Sequence, residues 1–171
     1  HSLPGEYIGV LLPSSVAAYL VVSAIWLSNK VPVMLNWTMG TRSLDHAVDL
    51  VKLQFVVTSH RFLDRLNEVD FGKLEENRML FLEDIKQEIG IVTKLKAAMG
   101  SMLSSEFLIG YLGLGKVKKD QMAVILFTSG TEAFPKAVGL SHENLLTNQR
   151  DCMALNIIEF GSCLYAVLPP F

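Results

Sequence analysis

An α/β fold, with parallel-sheet layers flanked by helices, is predicted by three features of this 171-residue chain. Short apolar runs rich in β-branched residues alternate with helical patterns. Those runs are apolar at nearly every position rather than at every second one, as strands covered on both faces are. Glycine, proline and hydroxyl residues punctuate the boundaries between them.

Tyr7 to Leu12 reads as the first strand, and Pro13-Ser14-Ser15 supplies the N-cap of a helix through about Ser28. Val31 to Leu35 is a second strand, closed by Asn36 and the turn-prone Thr38-Met39-Gly40. A helix from about Ser43 to Lys52 and the strand Phe55 to Thr58 follow. Arg61 to Asn67 reads as helix and Met79 to Leu82 as strand. Between Glu83 and Lys119 the sheet rhythm lapses, while Val92, Leu95, Met99 and Met102 recur at helical spacing with Lys94 and Lys96 off that face. Ala123 to Phe127 is the next apolar strand. Lys136 to Leu140 reads as an edge or hairpin strand, Ser141 as the cap of a helix through about Leu155, and Leu164 to Leu168 as a final strand.

Half of the residues are apolar and the mean hydropathy is +0.36, more than an all-surface interaction module would carry. Fifteen basic against 17 acidic residues give a net charge of −2, so no nucleic-acid partner is indicated. Cys152 and Cys163 form no disulfide framework and fit a reducing compartment. There is no secretory signal pattern, and the apolar run Val16 to Leu27 is roughly half of a membrane span. The chain starts at His1 and stops at Phe171 inside fold-like patterns, and is expected to be a fragment of a longer protein.

The chemistry concentrates directly behind the strand Ala123 to Phe127. There Thr128, Ser129, Gly130, Thr131 and Glu132 are followed by Pro135 and Lys136. A buried strand that breaks into a hydroxyl-rich, glycine-bearing loop suits polyphosphate: backbone N–H groups and hydroxyls donate to the oxygens, and an ammonium balances their charge. The P-loop pattern G-x-x-x-x-G-K-[ST] does not fit, because the segment lacks the glycine before Lys136 and the hydroxyl after it, and Pro135 removes a donor.

The order Thr128-Ser129-Gly130-Thr131-Glu132, then Pro135-Lys136 and Val138, then Ser141-His142-Glu143-Asn144, resembles the signature of the adenylate-forming superfamily of acyl-CoA synthetases, luciferases and peptide-synthetase adenylation domains. Lys30 to Asn36, Phe81 to Asp84, Lys94-Leu95 and Ile125 to Gly130 are similar to the synthetase half of bacterial acyl-ACP synthetase/2-acylglycerophosphoethanolamine acyltransferases. The resemblance implies an acetyl-CoA-synthetase-like fold in which residues 1–171 are a partial N-terminal adenylation domain, with the rest of it and a small mobile domain beyond Phe171.

It also implies an AMP-forming ligase. A fatty acid attacks the α-phosphorus of ATP, with Mg2+, to give acyl-adenylate and pyrophosphate, and CoA or acyl carrier protein then takes the acyl group. Thr128, Ser129, Gly130, Thr131 and Glu132 would wrap the ATP phosphates and Lys136 would neutralise the departing pyrophosphate. Phe171 would stand near the acyl or adenylate pocket. No catalytic residue and no metal ligand is carried over within the chain, and the fragment alone is expected to be inactive. The implied location is the cytoplasm, with contact to the inner face of the membrane through the parent protein left open, as is oligomeric state.

Ala133 and Ala137 stand where the superfamily usually has glycine; at a position needing φ > 0, alanine costs about 1 kcal/mol. They support the alternative of a non-catalytic relative or scaffold domain with an impaired phosphate loop. His142, in the first turn of a helix, is read as structural rather than ligand-binding. His46 and His60 have no ligand partners at metal spacing, and Ser129 lacks a nucleophile elbow. The segment Lys94 to Leu114 is either an amphipathic face for a membrane or acyl chains, or a covering helix packed on the sheet, and the covering helix is the preferred expectation.

Overall fold

The computed structural model describes residues 6–66, 70–74, 78–128 and 134–154. Its strands are β1 (Tyr7–Val10), β2 (Val31–Met34), β3 (Phe55–Thr58), β4 (Arg78–Phe81), β5 (Met122–Phe127) and β6 (Ala137–Ser141). They form one sheet in the order β4-β3-β1-β2-β5-β6. Neighbours from β4 through β5 are parallel, and β6 returns antiparallel along β5. The helices are α1 (Val16–Leu27), α2 (Thr41–Val51), α3 (His60–Leu63), α4 (Leu82–Glu88), α5 (Ile91–Gly100), α6 (Ser105–Tyr111) and α7 (His142–Ala154).

Strands β1, β2, β3 and β5 are almost wholly apolar because both of their faces are covered. In β1 and the residues after it, Ile8, Val10 and Leu12 join a core cluster with Ala18 and Ile25 of α1, whereas Leu11 points to the opposite cluster, which holds Leu44, Ala47 and Val48 of α2. The same alternation divides Val33 from Met34 and Ile125 from Val124. Successive side chains of a strand point to opposite faces, so a run that must satisfy two helical layers has no polar position. Gly9 is required here: a Cβ would come within 2.7 Å of Leu53 Cδ2 and 3.0 Å of Val56 Cγ2. The buried Thr58 hydroxyl donates to Leu11 O at 2.9 Å, so the core holds its polar atom without penalty.

Local signals fix the ends. Ser15 Oγ accepts from Ala18 N and starts α1, and Asn36 Oδ1 accepts from Thr38 N at the turn before α2. Gly40, at φ +79°, leads into α2. Two expectations shift. The helix expected over Arg61 to Asn67 is α3 followed by a 3-10 turn at Asp64–Leu66, with Asn67 outside the described residues. Leu82, expected at the end of a strand, begins α4 instead. The strand expected at Leu164 to Leu168 lies outside the described residues, as does Leu155.

One expectation is overturned. The segment Lys94 to Leu114 is no covering helix: it is α5, α6 and their connections, and neither helix has a buried residue. Periodicity identified an apolar stripe there, and nothing among the described residues lies over it.

Candidate phosphate-binding site

Strand β5 carries its apolar run up to Phe127 and then leaves the sheet, while β6 re-enters it at Ala137 opposite Phe127. Thr128 and residues 134–136 stand at the carboxyl end of the parallel strands, the edge where open α/β sheets hold ligands. The neck of the hairpin is closed on both sides. Thr128 N donates to Lys136 O at 3.0 Å, and Lys136 N donates to Thr128 Oγ1 at 3.1 Å. Because the Thr128 hydroxyl accepts there, its own proton stays available to an incoming oxygen. Lys136 is exposed and forms no salt bridge among the described residues.

Thr128 and Lys136 are thus brought together. Ser129, Gly130, Thr131, Glu132 and Phe171 lie outside the described residues, and so does Ala133. Ala137 is different: it sits in β6, and the positive-φ residues other than glycine among those described are Asn29 and Lys52. Alanine at 137 therefore occupies ordinary strand backbone, and the cost expected for a left-handed position does not arise there.

A contact that sequence reasoning missed anchors the loop on its far side. Phe134 lies with its ring centroid 4.8 Å from that of His46 and has the Arg42 guanidinium 5.4 Å over its face. Arg42 and His46 stand one turn apart on α2, so the pair forms a shelf at the same end of the sheet. Pro135, next along, is buried. An aromatic inside an otherwise polar loop was the available signal, but its partners lie some ninety residues earlier and no local pattern joins them.

The second half of the motif does other work. Ser141 Oγ accepts from Asn144 N at 3.1 Å, and Asn144 Oδ1 accepts from Ser141 N at 2.9 Å. This is a reciprocal capping box with asparagine at the third helical position, and it starts α7. His142 lies at the opposite end of β6 from Lys136, about 20 Å away by the rise of a strand. Its ring faces Trp26 at 6.4 Å beside a cavity of about 320 Å³ at the amino ends of β2 and β5. Trp26 Nε1 donates to Ala123 O at 2.6 Å, and Ala123 is the extra residue where the β5–β6 register shifts.

Across the sheet, a smaller cavity of about 150 Å³ opens between the carboxyl ends of β1 and β3, lined in part by Ser15, Ser59, Arg61 and Arg65. Glu83 fixes its rim. One carboxylate oxygen accepts from Ser59 Oγ at 2.7 Å and the other from His60 N at 3.1 Å. The Ser59 hydroxyl, helped by the backbone N–H groups of Glu83, His60 and Arg61 and opposed by partial burial, lowers the Glu83 pKa to about 2. His60 stacks on Phe81 at 3.7 Å and meets Asp84 at 3.4 Å. Among the described residues, no three His, Cys, Asp or Glu side chains converge as metal ligands.

A mostly parallel sheet covered by helices, with Thr128 and Lys136 hydrogen-bonded at the carboxyl end of β5, is an α/β domain of the kind that holds ligands at that edge. The chain belongs to the AMP-binding enzyme family, whose model matches residues 3–171. It is 38% identical over 80 residues to a medium-chain fatty-acid–CoA ligase of Escherichia coli, covering 44% of this chain and 14% of the relative. It is 23% identical over 174 residues to N-(5-amino-5-carboxypentanoyl)-L-cysteinyl-D-valine synthase of Penicillium rubens, covering 95% of this chain and 4% of that protein.

Among solved structures it is similar to o-succinylbenzoate CoA synthetase of Bacillus subtilis in complex with an acyl-adenylate intermediate, with a TM-score of 0.65 and 19% identity over 96% of this chain and 37% of that one. It is also similar to a long-chain-fatty-acid–CoA ligase of Archaeoglobus fulgidus, with a TM-score of 0.64 and 22% identity over 96% of this chain and 30% of that one. The chain therefore spans a small part of the curated relatives and about a third of these structures.

Proposed function

We propose that the 171 residues are part of an AMP-forming acyl-acid ligase that activates a fatty acid with ATP and passes it to CoA or an acyl carrier protein. The observation that carries this reading is the loop neck: in a chain of the AMP-binding family, Thr128 and Lys136 stand hydrogen-bonded at the carboxyl end of β5, and Lys136 forms no salt bridge among the described residues. Lys136 holds the leaving pyrophosphate by charge, Thr128 donates to a phosphate oxygen, and Ser129 to Glu132 complete the loop. Preorganised donors aimed at developing charge are the part of the reaction that a protein supplies in such transfers.

Mg2+, when bound with ATP, would offset charge on the phosphates. The neck fits a polyphosphate, since it offers a hydroxyl proton and a cation and no facing carboxylate among the described residues. The fatty-acid preference draws support from the E. coli fatty-acid–CoA ligase relative. Carrier protein as an alternative acceptor and kinship with acyl-ACP synthetase/acyltransferases rest on the sequence resemblance. By itself the chain does not turn over, because the adenine- and ribose-binding motifs and the mobile domain's lysine of this enzyme class are not among its residues. The non-catalytic alternative loses one of its two supports, because Ala137 sits on ordinary strand backbone.

The test is fatty-acid-dependent ATP–pyrophosphate exchange by the longer protein beside its Lys136→Ala variant. Loss of a charge-assisted contact worth about 1.5–3 kcal/mol lowers exchange roughly ten- to hundredfold. Exchange unaltered in the variant, or no exchange with any acid from a folded parent, overturns the assignment.

A further inference from the structure

We propose that Arg42 and His46 of α2 are positioning residues for the Thr128–Lys136 neck, acting through Phe134. The need follows from where the hairpin lies. Strand β6 is the edge strand of the sheet, hydrogen-bonded to β5 alone, with Ala137, Val138 and Gly139 exposed. The two hydrogen bonds between Thr128 and Lys136 fix the sides of the neck relative to each other. They do not fix the neck relative to the rest of the carboxyl edge. Phe134, two residues before Lys136, supplies that reference. Its ring meets the His46 imidazole at 4.8 Å between centroids and 32° between planes, and Arg42 Cζ stands 5.4 Å from the ring centre. The negative face of the ring attracts the guanidinium, and the pair of rings adds contact that depends on their angle. Pro135, between Phe134 and Lys136, is buried and has its φ fixed by its own ring, so little backbone freedom separates the aromatic from the lysine.

The helix that carries the two residues is itself well held. Leu44, Ala47 and Val48 bury one side of α2 in the core. Polar contacts tie it to the chain around Lys73 as well. Thr41 Oγ1 donates to Asp70 O at 2.8 Å, Lys73 N to Asp45 Oδ1 at 2.6 Å, and Lys73 Nζ to Asp49 Oδ2 at 2.6 Å. Phe134, by contrast, belongs to neither core cluster and is 41% exposed. A side chain that buries so little adds little to global stability, and its contacts act instead on local opening of the neck. An aromatic ring suits the task because an arginine and a histidine can hold it without an apolar pocket.

The experiment is amide hydrogen exchange on the longer protein without ligand. Arg42→Ala, His46→Ala and Phe134→Leu are each expected to speed exchange of the Thr128 and Lys136 amides about two- to tenfold, the factor that one such ring contact is worth. Melting and the amides of α2 stay as in the wild type. Phe134→Tyr, which keeps the ring, is expected to keep wild-type exchange. Because the shelf acts through one side chain, adding Arg42→Ala to Phe134→Leu is expected to change nothing further. Unchanged exchange at Thr128 and Lys136 in the three single variants overturns the proposal. So does additivity in the double variant, which would give Arg42 a separate route to the neck. The consequence for phosphate rests on the ligase reading: in ATP–pyrophosphate turnover the same variants are expected to raise the KM for ATP by a similar factor and leave the KM for fatty acid unchanged. No such turnover from the wild type would sink the ligase reading alone, since the amide measurement decides the role of the shelf without it.

Discussion

The two ends of the β5–β6 hairpin come from one continuous sequence motif, yet they are built for different tasks. At the carboxyl end of β5, Thr128 and Lys136 are hydrogen-bonded to each other, and the exposed Lys136 has no salt bridge among the described residues. At the other end Ser141 and Asn144 satisfy each other, Trp26 satisfies the bulged Ala123 carbonyl, and His142 lies against Trp26. Polar groups spent on the protein hold the fold, and those left open can serve a ligand. A motif recognised as a unit therefore divides, on inspection of its partners, into a half proposed to face a ligand and a half whose polar groups are spent on the fold.

Substitutions at the two ends should separate accordingly. The largest effect is expected at Lys136, where alanine lowers exchange in the longer protein with little change in melting. At the opposite end, Trp26→Phe strands the Ala123 carbonyl and is expected to cost about 1–3 kcal/mol in denaturant unfolding, with exchange per folded molecule unchanged. Ser141→Ala removes one arm of the capping box and should cost about 1 kcal/mol, again without a kinetic signature. Phe134→Ala sharpens the comparison from the loop side. It gives up a cation–π contact of about 0.5–1 kcal/mol, and should raise the KM for ATP more than it lowers stability.

Glu83 gives the last, pH-dependent contrast. Its carboxylate pKa is lowered from 4.5 to about 2, chiefly by the Ser59 hydroxyl, so the folded state favours the charged form. The stability it contributes is present above pH 4.5 and is lost as pH falls from there through about 2. Glu83→Gln should flatten that part of an acid-unfolding profile while leaving the response of the hairpin ends alone.

Much of this was legible in the sequence. Continuous apolar runs gave the strands, because a strand sandwiched between α1 and α2 has no solvent face to mark with polar residues. The loop was legible because Thr128 and Lys136 sit beside a strand whose end is predictable. The Phe134 shelf was not, since Arg42 and His46 belong to a helix that only the crossover brings near. Nor was the exposure of α5 and α6: Val92, Leu95, Met99 and Met102 define an apolar stripe equally well whether or not something covers it. Ala137 teaches the reverse lesson, that a residue unusual for a motif is harmless where the backbone asks nothing special of it.

The most direct test of the account is hydrogen exchange on the longer protein with and without ATP and a fatty acid. Protection confined to the 128–136 segment and its α2 shelf, with the amides around Gln121 and His142 unchanged, is the expected result. Protection at the Trp26–His142 end, with the loop unaffected, would contradict it.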